Sequence, residues 1–405
     1  MCVPEERLKE IIVRHRRGDH AAAEAGYREH LKEFPSDPSA LHFLGLLRSH
    51  QGRHAEAVKL MMSALEIDSG YVDAWSNLGV AYLKLRDFER AEFCERKAIE
   101  LAPDFANAWA NLGMTLRARD DCEEALIAWG RALALKPDMR NIAISYGHLL
   151  YRLNRLTEAT EFYARWQSSE PEDPIPQHML AAMGGAARPS RASDGYVRAT
   201  FDDFADSFDT NLEELGYAAP QLLFDAVKGT AQSSADSGLD VLDLGCGTGL
   251  CGPLWRPGAR RLVGVDLSPN MLSKAALRAV YDQLNCAELT GWLADCEQRF
   301  DLAVAADVLC YFGDLSAAFK GVFAILRPGG RFACSLEAMP DPAAPDDFTL
   351  LPHGRYQHSR RYVERTLLDS GLELQSIANA RLRYERLEPV MGLVLVAARP
   401  ARVPG

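Results

Sequence analysis

The sequence predicts two domains of different class: an all-α superhelix of paired helices, followed by an α/β domain built on a seven-stranded, mostly parallel sheet. Three observations predict this order. The first 173 residues repeat with a period of 34. From about residue 239, apolar strand-like runs alternate with helical patterns. Between them, a segment rich in Pro, Gly, Ala and Ser is typical of a linker. The predicted boundaries are 1–173 for the repeats, 174–195 for the linker and 196–405 for the α/β domain.

Composition narrows the class of protein. The chain has 405 residues, 48% of them hydrophobic and 25% charged, which is typical of soluble proteins with more than one core. A net charge of −11 argues against non-specific attraction to nucleic acid. We find no apolar run long enough for a membrane span and no signal-peptide pattern. The odd count of nine cysteines favours reduced thiols. We therefore expect a cytoplasmic protein that binds neither nucleic acid nor membrane.

The repeat keeps the same residue types at equivalent positions of successive copies. The clearest pairs are Trp75 and Trp109, Leu78 and Leu112, Gly79 and Gly113, Ala91 and Ala125, and Pro103 and Pro137. Small residues let the two helices of a copy approach closely, and proline ends the second helix. This pattern resembles the tetratricopeptide repeat (TPR), in about five copies over 4–37, 38–71, 72–105, 106–139 and 140–173. The resemblance implies a curved superhelix whose units bury their apolar faces by stacking.

Polar residues outside the repeat pattern are the functional candidates of this domain. Asn77, Asn107, Asn111 and Arg117 occupy non-consensus positions where the concave face is expected. Such asparagines are able to hold an extended peptide backbone, and they are equally compatible with a solvated surface. A protein or peptide partner is one prediction for this face, and self-association into a homo-oligomer is another.

A glycine-rich loop begins the α/β domain. The sequence VLDLGCGTGLCG (241–252) predicts a buried strand, a tight turn and a helix, and LVGVD (262–266) predicts a second strand that ends in an acid. Gly245, Gly247 and Gly249 allow the backbone to approach a ligand closely. Asp266 lies where a carboxylate is able to bind both hydroxyls of a ribose. These features predict a nucleoside-containing cofactor.

The loop also distinguishes between nucleoside cofactors. A dinucleotide site needs a third glycine where this chain has Leu250, and Asp243 would repel a pyrophosphate. The same carboxylate favours a cationic ligand. The loop, with its downstream acid, resembles that of the class I S-adenosylmethionine-dependent methyltransferases, which have a Rossmann-like fold. The resemblance implies S-adenosyl-L-methionine as the cofactor.

The sheet expected from this resemblance is readable in the chain. Predicted strands cover 239–244, 261–265, 284–288, 302–306 and 331–336, and a final antiparallel hairpin covers about 372–380 and 391–398. The candidate acids follow these strands at their carboxyl ends, where ligands bind in doubly wound sheets.

The resemblance implies a role for each cofactor-binding candidate. Asp243 neutralises the methionine ammonium, and the backbone of Gly245, Cys246 and Gly247 lines the methionine. Asp266 binds the ribose, Leu267 and Met271 flank the adenine, and Glu288 with Leu289 contacts the adenine amino group. Asp307 lies near the transferable methyl group. No pair or cluster of cysteines and histidines predicts a metal site.

A general base is needed only where the acceptor carries a proton that must leave. The catalytic candidates are His358, Tyr311 and Asp307, with His353, Tyr356 and Glu337 as further possibilities. Each has a structural alternative: a helix cap for Asp307, packing for Tyr311, and a surface or capping role for the histidines.

Aromatic residues precede the first strand. Phe201, Phe204 and Phe208 recur at helical spacing, in a segment that often covers the cofactor in this class. Taken as a whole, the chain resembles predicted bacterial methyltransferases that carry TPR repeats. The predicted function is a methyltransferase whose repeats recruit a protein or peptide substrate. The alternatives are a methyltransferase of a small metabolite with self-associating repeats, and a non-catalytic adaptor with a vestigial methyltransferase fold. The intact acids and glycines argue against the adaptor.

Overall fold

The computed structural model describes residues 4–205, 208–230, 238–340, 345–385 and 388–401. It divides into two compact units, residues 1–155 and 156–405. This division falls inside the fifth predicted repeat, between its two helices. The predicted ends of the repeats at residue 173 and of the linker at residue 195 therefore stay predictions.

The first unit contains α-helices in pairs. They are α1 (Pro4–Arg16), α2 (His20–Glu33), α3 (Pro38–His50), α4 (His54–Ile67), α5 (Val72–Lys84), α6 (Phe88–Leu101), α7 (Ala106–Ala118), α8 (Cys122–Leu135) and α9 (Arg140–Arg152). The turn after the first helix of each copy adopts a left-handed backbone at positions 34 residues apart. These positions are Gly18, Gly52, Arg86, Asp120 and Asn154, with φ between 57° and 82°. The turns thus follow the predicted 34-residue period through all five copies.

Glycines bring the paired helices together, as the repeat pattern predicts. A Cβ on Gly45 would lie 3.0 Å from Met61, and a Cβ on Gly113 would lie 2.3 Å from Trp129. At the equivalent place in the copy between them, Gly79 faces Glu95. Glu95 is fully buried, so this copy holds a carboxyl group where its neighbours hold apolar side chains.

The second unit begins with helices and continues as an α/β sheet. Its helices are α10 (Leu156–Ser169), α11 (Pro174–Ala182), α12 (Asp194–Phe204), α13 (Phe208–Glu214), α14 (Ala219–Gly229), α15 (Gly252–Trp255), α16 (Pro269–Leu277), α17 (Leu289–Asp295), α18 (Ser316–Ile325) and α19 (Arg360–Asp369). Its strands are β1 (Leu239–Leu244), β2 (Ala259–Asp266), β3 (Gln283–Cys286), β4 (Phe300–Ala305), β5 (Leu326–Ala338), β6 (Phe348–Leu350), β7 (Tyr356–His358), β8 (Glu373–Glu385) and β9 (Glu388–Ala398).

The predicted seven-stranded sheet is confirmed. Strands β3, β2, β1, β4 and β5 pair in parallel in that order, β9 pairs antiparallel with β5, and β8 pairs antiparallel with β9. The short hairpin β6–β7 extends the carboxyl end of β5 and was not predicted. Apolar side chains of the central strands alternate between two cores, with Leu242 and Leu244 on one face and Val241 on the other. The sheet therefore presents the carboxyl ends of its parallel strands at one edge.

The segment predicted as a linker is structured within the second unit. Helix α11 buries Met179 and Leu180. The His178 ring stacks on Tyr196 with centroids 3.9 Å apart, and its Nε2 lies 2.8 Å from the Gly354 carbonyl oxygen. Residues 174–195 thus pack against the loop between β6 and β7. In the described part of the chain, we find no helix long and apolar enough to cross a membrane.

Candidate active site

The glycine loop turns sharply after β1. Gly245 and Gly247 have φ of +63° and +54°, a backbone region that non-glycine residues rarely adopt. A Cβ on Gly245 would lie 2.4 Å from Val308, so this glycine lets the loop close onto the segment after β4. Within the part of the chain that the structure describes, a Cβ on Gly247 would meet only the Phe208 ring, at 3.9 Å. The backbone at Gly247 therefore faces space that is able to hold a ligand.

Asp266 ends β2 directly beside this loop. Its Oδ2 accepts a hydrogen bond from the Gly247 N–H at 2.8 Å, and its Oδ1 accepts one from the Ser268 N–H at 2.9 Å. Burial raises the pKa of the Asp266 carboxyl, and these N–H groups oppose that rise. The backbone thus fixes the orientation of a carboxylate at the position predicted to bind a ribose.

Asp243 lies at the end of β1 and is 1% exposed. The Tyr281 hydroxyl donates to its Oδ2 at 2.6 Å. Burial raises the pKa of Asp243 to about 7, although the Tyr281 hydrogen bond lowers it and Asp266 nearby raises it further. The Tyr281 contact was not predicted, because nothing in the local pattern joins residues 38 positions apart.

The other residues predicted near the methionine and adenine are mostly buried. The Cys246 thiol lies against Gly264 of β2, 2.9 Å from a Cβ placed there, and burial raises its pKa well above the usual range. Met271 is 1% exposed beneath the turn after β2, and Leu267 is half-buried. Leu289 packs into the hydrophobic core. The backbone of Cys246 forms part of the glycine loop, whereas its thiol packs against β2.

Glu288 begins α17 as its N-cap. Its carboxylate accepts hydrogen bonds from the N–H groups of Thr290 at 2.9 Å and Gly291 at 2.7 Å, and from the Thr290 hydroxyl at 2.7 Å. Burial raises the pKa of Glu288, but these donors outweigh it, and the pKa lies below its usual value. If Glu288 also binds an adenine amino group, as predicted, the same carboxylate would have to accept that hydrogen bond while it caps α17.

Helices α12 and α13 lie over the glycine loop, where a covering segment was predicted. Asp202 of α12 accepts a hydrogen bond from the Ser268 hydroxyl. Asp209 of α13 accepts one from the Thr248 hydroxyl and forms an ion pair with Arg278. Two acids thus tie the covering helices to the glycine loop and to the turn after β2.

Aromatic rings close the same region. Phe201 stands edge-on to Phe208 at 6.0 Å and to Tyr311 at 5.4 Å between centroids. Phe204 is partly exposed and is not in this group. Burial raises the pKa of Tyr311 well above the usual range, so its phenol keeps its proton at neutral pH. Of the predicted aromatics, two line this region together with Tyr311.

Asp307 follows β4 with a left-handed backbone, at φ +58°. Its Oδ2 accepts a hydrogen bond from Arg383 Nη1 at 2.6 Å. The alternative interpretation of Asp307 as a helix cap is wrong, because the short 3₁₀ turn Leu309–Tyr311 has Val308 at its N-cap and no side-chain cap. Burial raises the pKa of Asp307, and the Arg383 guanidinium lowers it in part. A partly buried acid with a strained backbone therefore stands beside the glycine loop.

Arg383 belongs to a buried group of charged side chains that sequence reasoning largely missed. Its Nε donates to Glu385 at 2.9 Å, and its Nη2 donates to Glu337. Arg355 Nε donates to Glu337 at 2.7 Å, and Arg355 also pairs with Glu385. Burial raises the pKa of Glu337, but the two guanidinium groups lower it to about 2. We call Asp307, Glu337, Arg355, Arg383 and Glu385 the charge cluster.

The histidines differ in their surroundings. His358 is fully buried, and its Nε2 lies 2.8 Å from the Phe312 carbonyl oxygen and 3.2 Å from that of Gly313. His353 Nε2 lies 3.7 Å from Glu337, beside the charge cluster. Burial lowers the pKa of both imidazoles to about 4. These contacts indicate that His358 holds the backbone of residues 312–313 in place. The catalytic role of His358 stays a prediction.

The remaining candidates also make structural contacts. The Tyr356 hydroxyl donates to the Pro189 carbonyl at 2.8 Å. In the repeats, the Asn111 amide donates to the Ser76 hydroxyl at 2.9 Å, and the Asn77 amide nitrogen lies 2.9 Å from His42 Nε2. These two asparagines bridge neighbouring copies, while Asn107 is exposed. Among the described residues, no group of three or more His, Cys, Asp or Glu side chains is arranged to hold a metal ion.

Comparison with known proteins identifies the two parts of the chain. Residues 242–332 match the family model of the methyltransferase domain. Residues 8–72, 72–105 and 110–174 match family models of the tetratricopeptide repeat. The chain therefore carries TPR repeats followed by a methyltransferase domain, as the sequence predicts.

Individual relatives share shorter stretches. A ubiquinone biosynthesis O-methyltransferase of Bradyrhizobium sp. (strain ORS 278) is 36% identical over 104 residues, which is 24% of this chain and 40% of that protein. The chain thus spans less than half the length of this relative. Magnesium protoporphyrin IX methyltransferase (ChlM) from Synechocystis PCC 6803, solved with bound SAH, is 19% identical with a TM-score of 0.41, covering 51% of this chain and all of that one. MamA from Desulfovibrio magneticus RS-1 is 20% identical with a TM-score of 0.38, covering 42% of this chain and 97% of that one.

Proposed function

We propose that the chain is an S-adenosyl-L-methionine-dependent methyltransferase whose TPR repeats recruit a protein or peptide acceptor. The observation that carries the proposal is the Asp266 carboxylate, which the backbone of Gly247 orients beside an open, glycine-lined loop. The methyltransferase domain found in this part of the chain supports the same function.

The residues present fit this cofactor. S-adenosylmethionine supplies an electrophilic methyl group on a sulfonium, and it carries no phosphate. The buried Asp243 would accept its ammonium, Asp266 its ribose hydroxyls, and the backbone at Gly245 and Gly247 its methionine chain. A dinucleotide would place a pyrophosphate near Asp243, which charge repulsion opposes. The donor set therefore suits a cationic nucleoside.

The covering helices and the aromatic residues have a distinct role in the proposal. Hydrogen bonds accepted by Asp202 and Asp209 hold α12 and α13 near the loop, and the Phe201 and Phe208 rings would help to exclude water from a bound cofactor. Water exclusion strengthens the charge interactions of the buried carboxylates. Methyl transfer is an in-line displacement, so these contacts would contribute mainly by aligning the reactants.

Calorimetric titration with S-adenosylmethionine and S-adenosylhomocysteine tests the cofactor assignment. We expect both to bind, and Asp266→Asn to weaken binding by about 1.5–3 kcal/mol, since a charge-assisted acceptor is lost. Asp295→Asn, an exposed acid at the end of α17, serves as the matched control and is expected to bind normally. Equal affinity of Asp266→Asn and the unmodified chain would refute the site.

The acceptor assignment is tested on a cell extract with a radiolabelled methyl donor. Label in the macromolecular fraction that resists nuclease and yields to protease supports a protein acceptor; label in the small-molecule fraction favours the metabolite alternative. Arg117→Ala on α7 is expected to lower macromolecular labelling, whereas Arg131→Ala on α8, equally exposed, is the matched control. Equal labelling by both variants would argue against recruitment through this face.

A further inference from the structure

The charge cluster holds more negative than positive charge. It contains three carboxylates, from Asp307, Glu337 and Glu385, and two guanidinium groups, from Arg355 and Arg383. His353 beside it is neutral at physiological pH because burial lowers its pKa to about 4. When the three acids are ionised, these described side chains leave one negative charge uncompensated in a partly buried site, in which the Glu337 and Arg383 side chains are only 1% and 3% exposed. Such a charge is costly unless a cation joins it.

The hydrogen bonds within the cluster leave two acceptor atoms over. The two guanidinium groups donate to Asp307 Oδ2, Glu337 Oε1 and Glu385 Oε1. In the described ranges of the chain, the other oxygens of two of these acids, Asp307 Oδ1 and Glu337 Oε2, are buried and have no hydrogen-bond partner, and Glu337 Oε2 lies 3.7 Å from the His353 imidazole. The Glu337 side chain is 1% exposed, so bulk water does not donate a hydrogen bond to its free oxygen. An ionised carboxylate only accepts hydrogen bonds, and these atoms therefore call for a donor.

The position of the cluster is that of an acceptor site. Asp307 follows β4, Glu337 lies near the end of β5, and Arg383 lies near the end of β8, all at the edge of the sheet that carries the glycine loop. Val308, next to Asp307, packs against Gly245 of that loop. A group bound at Asp307 would therefore stand beside the proposed cofactor.

We propose that the charge cluster binds a protonated amine of the methyl acceptor through Asp307 and Glu337. An ammonium group supplies both the missing positive charge and N–H donors for the two unpartnered oxygens. A hydroxyl supplies a donor without the charge, and a carboxylate supplies neither. This inference deepens the proposed function and rests on it for the identity of the amine-bearing molecule as the methyl acceptor. The ammonium group anchors that molecule and is not itself the atom that is methylated, and its binding does not depend on the cofactor.

Saturation-transfer NMR of the full chain with n-butylammonium tests the inference, without any nucleoside present. At matched ionic strength, n-butanol, butyrate and tetramethylammonium serve as probes that lack the charge, reverse it, or lack N–H donors. We expect n-butylammonium to bind at least about tenfold more tightly than each of them, the difference of one charge-assisted hydrogen bond. Binding of n-butanol or tetramethylammonium as tight as that of n-butylammonium would overturn the assignment.

Two variants localise the probe. Asp307→Asn keeps the shape of the side chain, and asparagine tolerates the left-handed backbone at this position. We expect it to weaken n-butylammonium binding about tenfold. Asp314→Asn, an exposed acid of the following loop, is the matched control. Equal weakening by both variants, or none by Asp307→Asn, would refute the site. Amine binding without cofactor binding would refute the proposed function and leave this inference standing.

Discussion

Ionisation of Asp243 is expected to control the affinity for S-adenosylmethionine. Burial raises the pKa of this carboxyl to about 7 in the cofactor-free protein, so a large fraction is protonated at neutral pH. Only the ionised form attracts the methionine ammonium, and the bound cation would in turn lower the pKa. Binding should therefore be tight above the free-protein pKa and weaken as the pH falls through it. An acid with an ordinary pKa near 4 would give no such dependence in this range.

The size of the effect follows from the ionised fraction. With a pKa of about 7, roughly three quarters of the Asp243 carboxyls are ionised at pH 7.5 and only about 3% at pH 5.5. The association constant should thus fall about 25-fold between these values, which is about 1.9 kcal/mol. Each bound cofactor should release about half a proton at pH 7.

Calorimetry in buffers of different ionisation enthalpy measures both quantities. Tyr281→Phe removes the hydroxyl that donates to Asp243, so it should raise the carboxyl pKa and move the binding curve to higher pH. Asp243→Asn should bind weakly and lose most of the pH dependence; what remains would report Asp266, whose pKa burial also raises. An unchanged slope in Asp243→Asn would refute the reasoning.

Three stability predictions follow from the backbone and the cores, each measured by urea denaturation. Gly245→Ala should destabilise the methyltransferase domain by about 2–5 kcal/mol, because the added Cβ both strains the backbone and clashes with Val308. Gly247→Ala should cost only about 1–2 kcal/mol, because backbone strain is its main penalty. Equal losses of stability in the two variants would contradict this reasoning. Arg86→Gly should stabilise the repeats by up to about 1 kcal/mol and Asn154→Gly should be nearly neutral, since asparagine tolerates a left-handed turn; a loss in Arg86→Gly would count against strain at this turn. Burial raises the pKa of the Glu95 carboxyl well above its usual value, so the unfolded chain loses this proton at a lower pH than the folded repeats do. The unmodified repeats should therefore lose stability relative to Glu95→Gln as the pH rises from 5 to 8. A difference in unfolding free energy that stayed constant with pH would show that Glu95 does not titrate.

Local patterns were sufficient to predict the repeats and the position of the Asp266 carboxylate beside the glycine loop. The 34-residue period fixes which small residues meet at the helix pairs, and Gly45, Gly79 and Gly113 all do so. The apolar runs predict seven of the nine strands of the described sheet, and the acid at the end of β2 lies on the glycine loop as expected. These features are predictable because each depends on residues close together in the chain.

Other contacts were beyond the reach of local patterns. Arg383 and Asp307 are 76 positions apart, and the local sequence around neither residue signals a charge pair. The strands of the β6–β7 hairpin have three residues each, too few to show a period. Glu288 is a different case, because threonine and glycine follow it closely, yet glutamate is not among the preferred N-cap residues and the cap was missed.

The features that local sequence predicts belong to the proposed cofactor site, and the features that it does not predict belong to the proposed acceptor side. A nucleoside cofactor is held by backbone and by acids at strand ends, so its site is encoded in short motifs such as the one from Asp243 to Gly249. The proposed acceptor side is formed by β4, β5, β8 and the β6–β7 hairpin, whose charged residues meet only after the sheet has formed. A mutation at Arg383 would leave every cofactor motif intact while removing three of the hydrogen bonds that orient Asp307, Glu337 and Glu385. Selectivity for the acceptor can therefore diverge between chains whose cofactor loops are identical, and it must be read from long-range contacts of this kind.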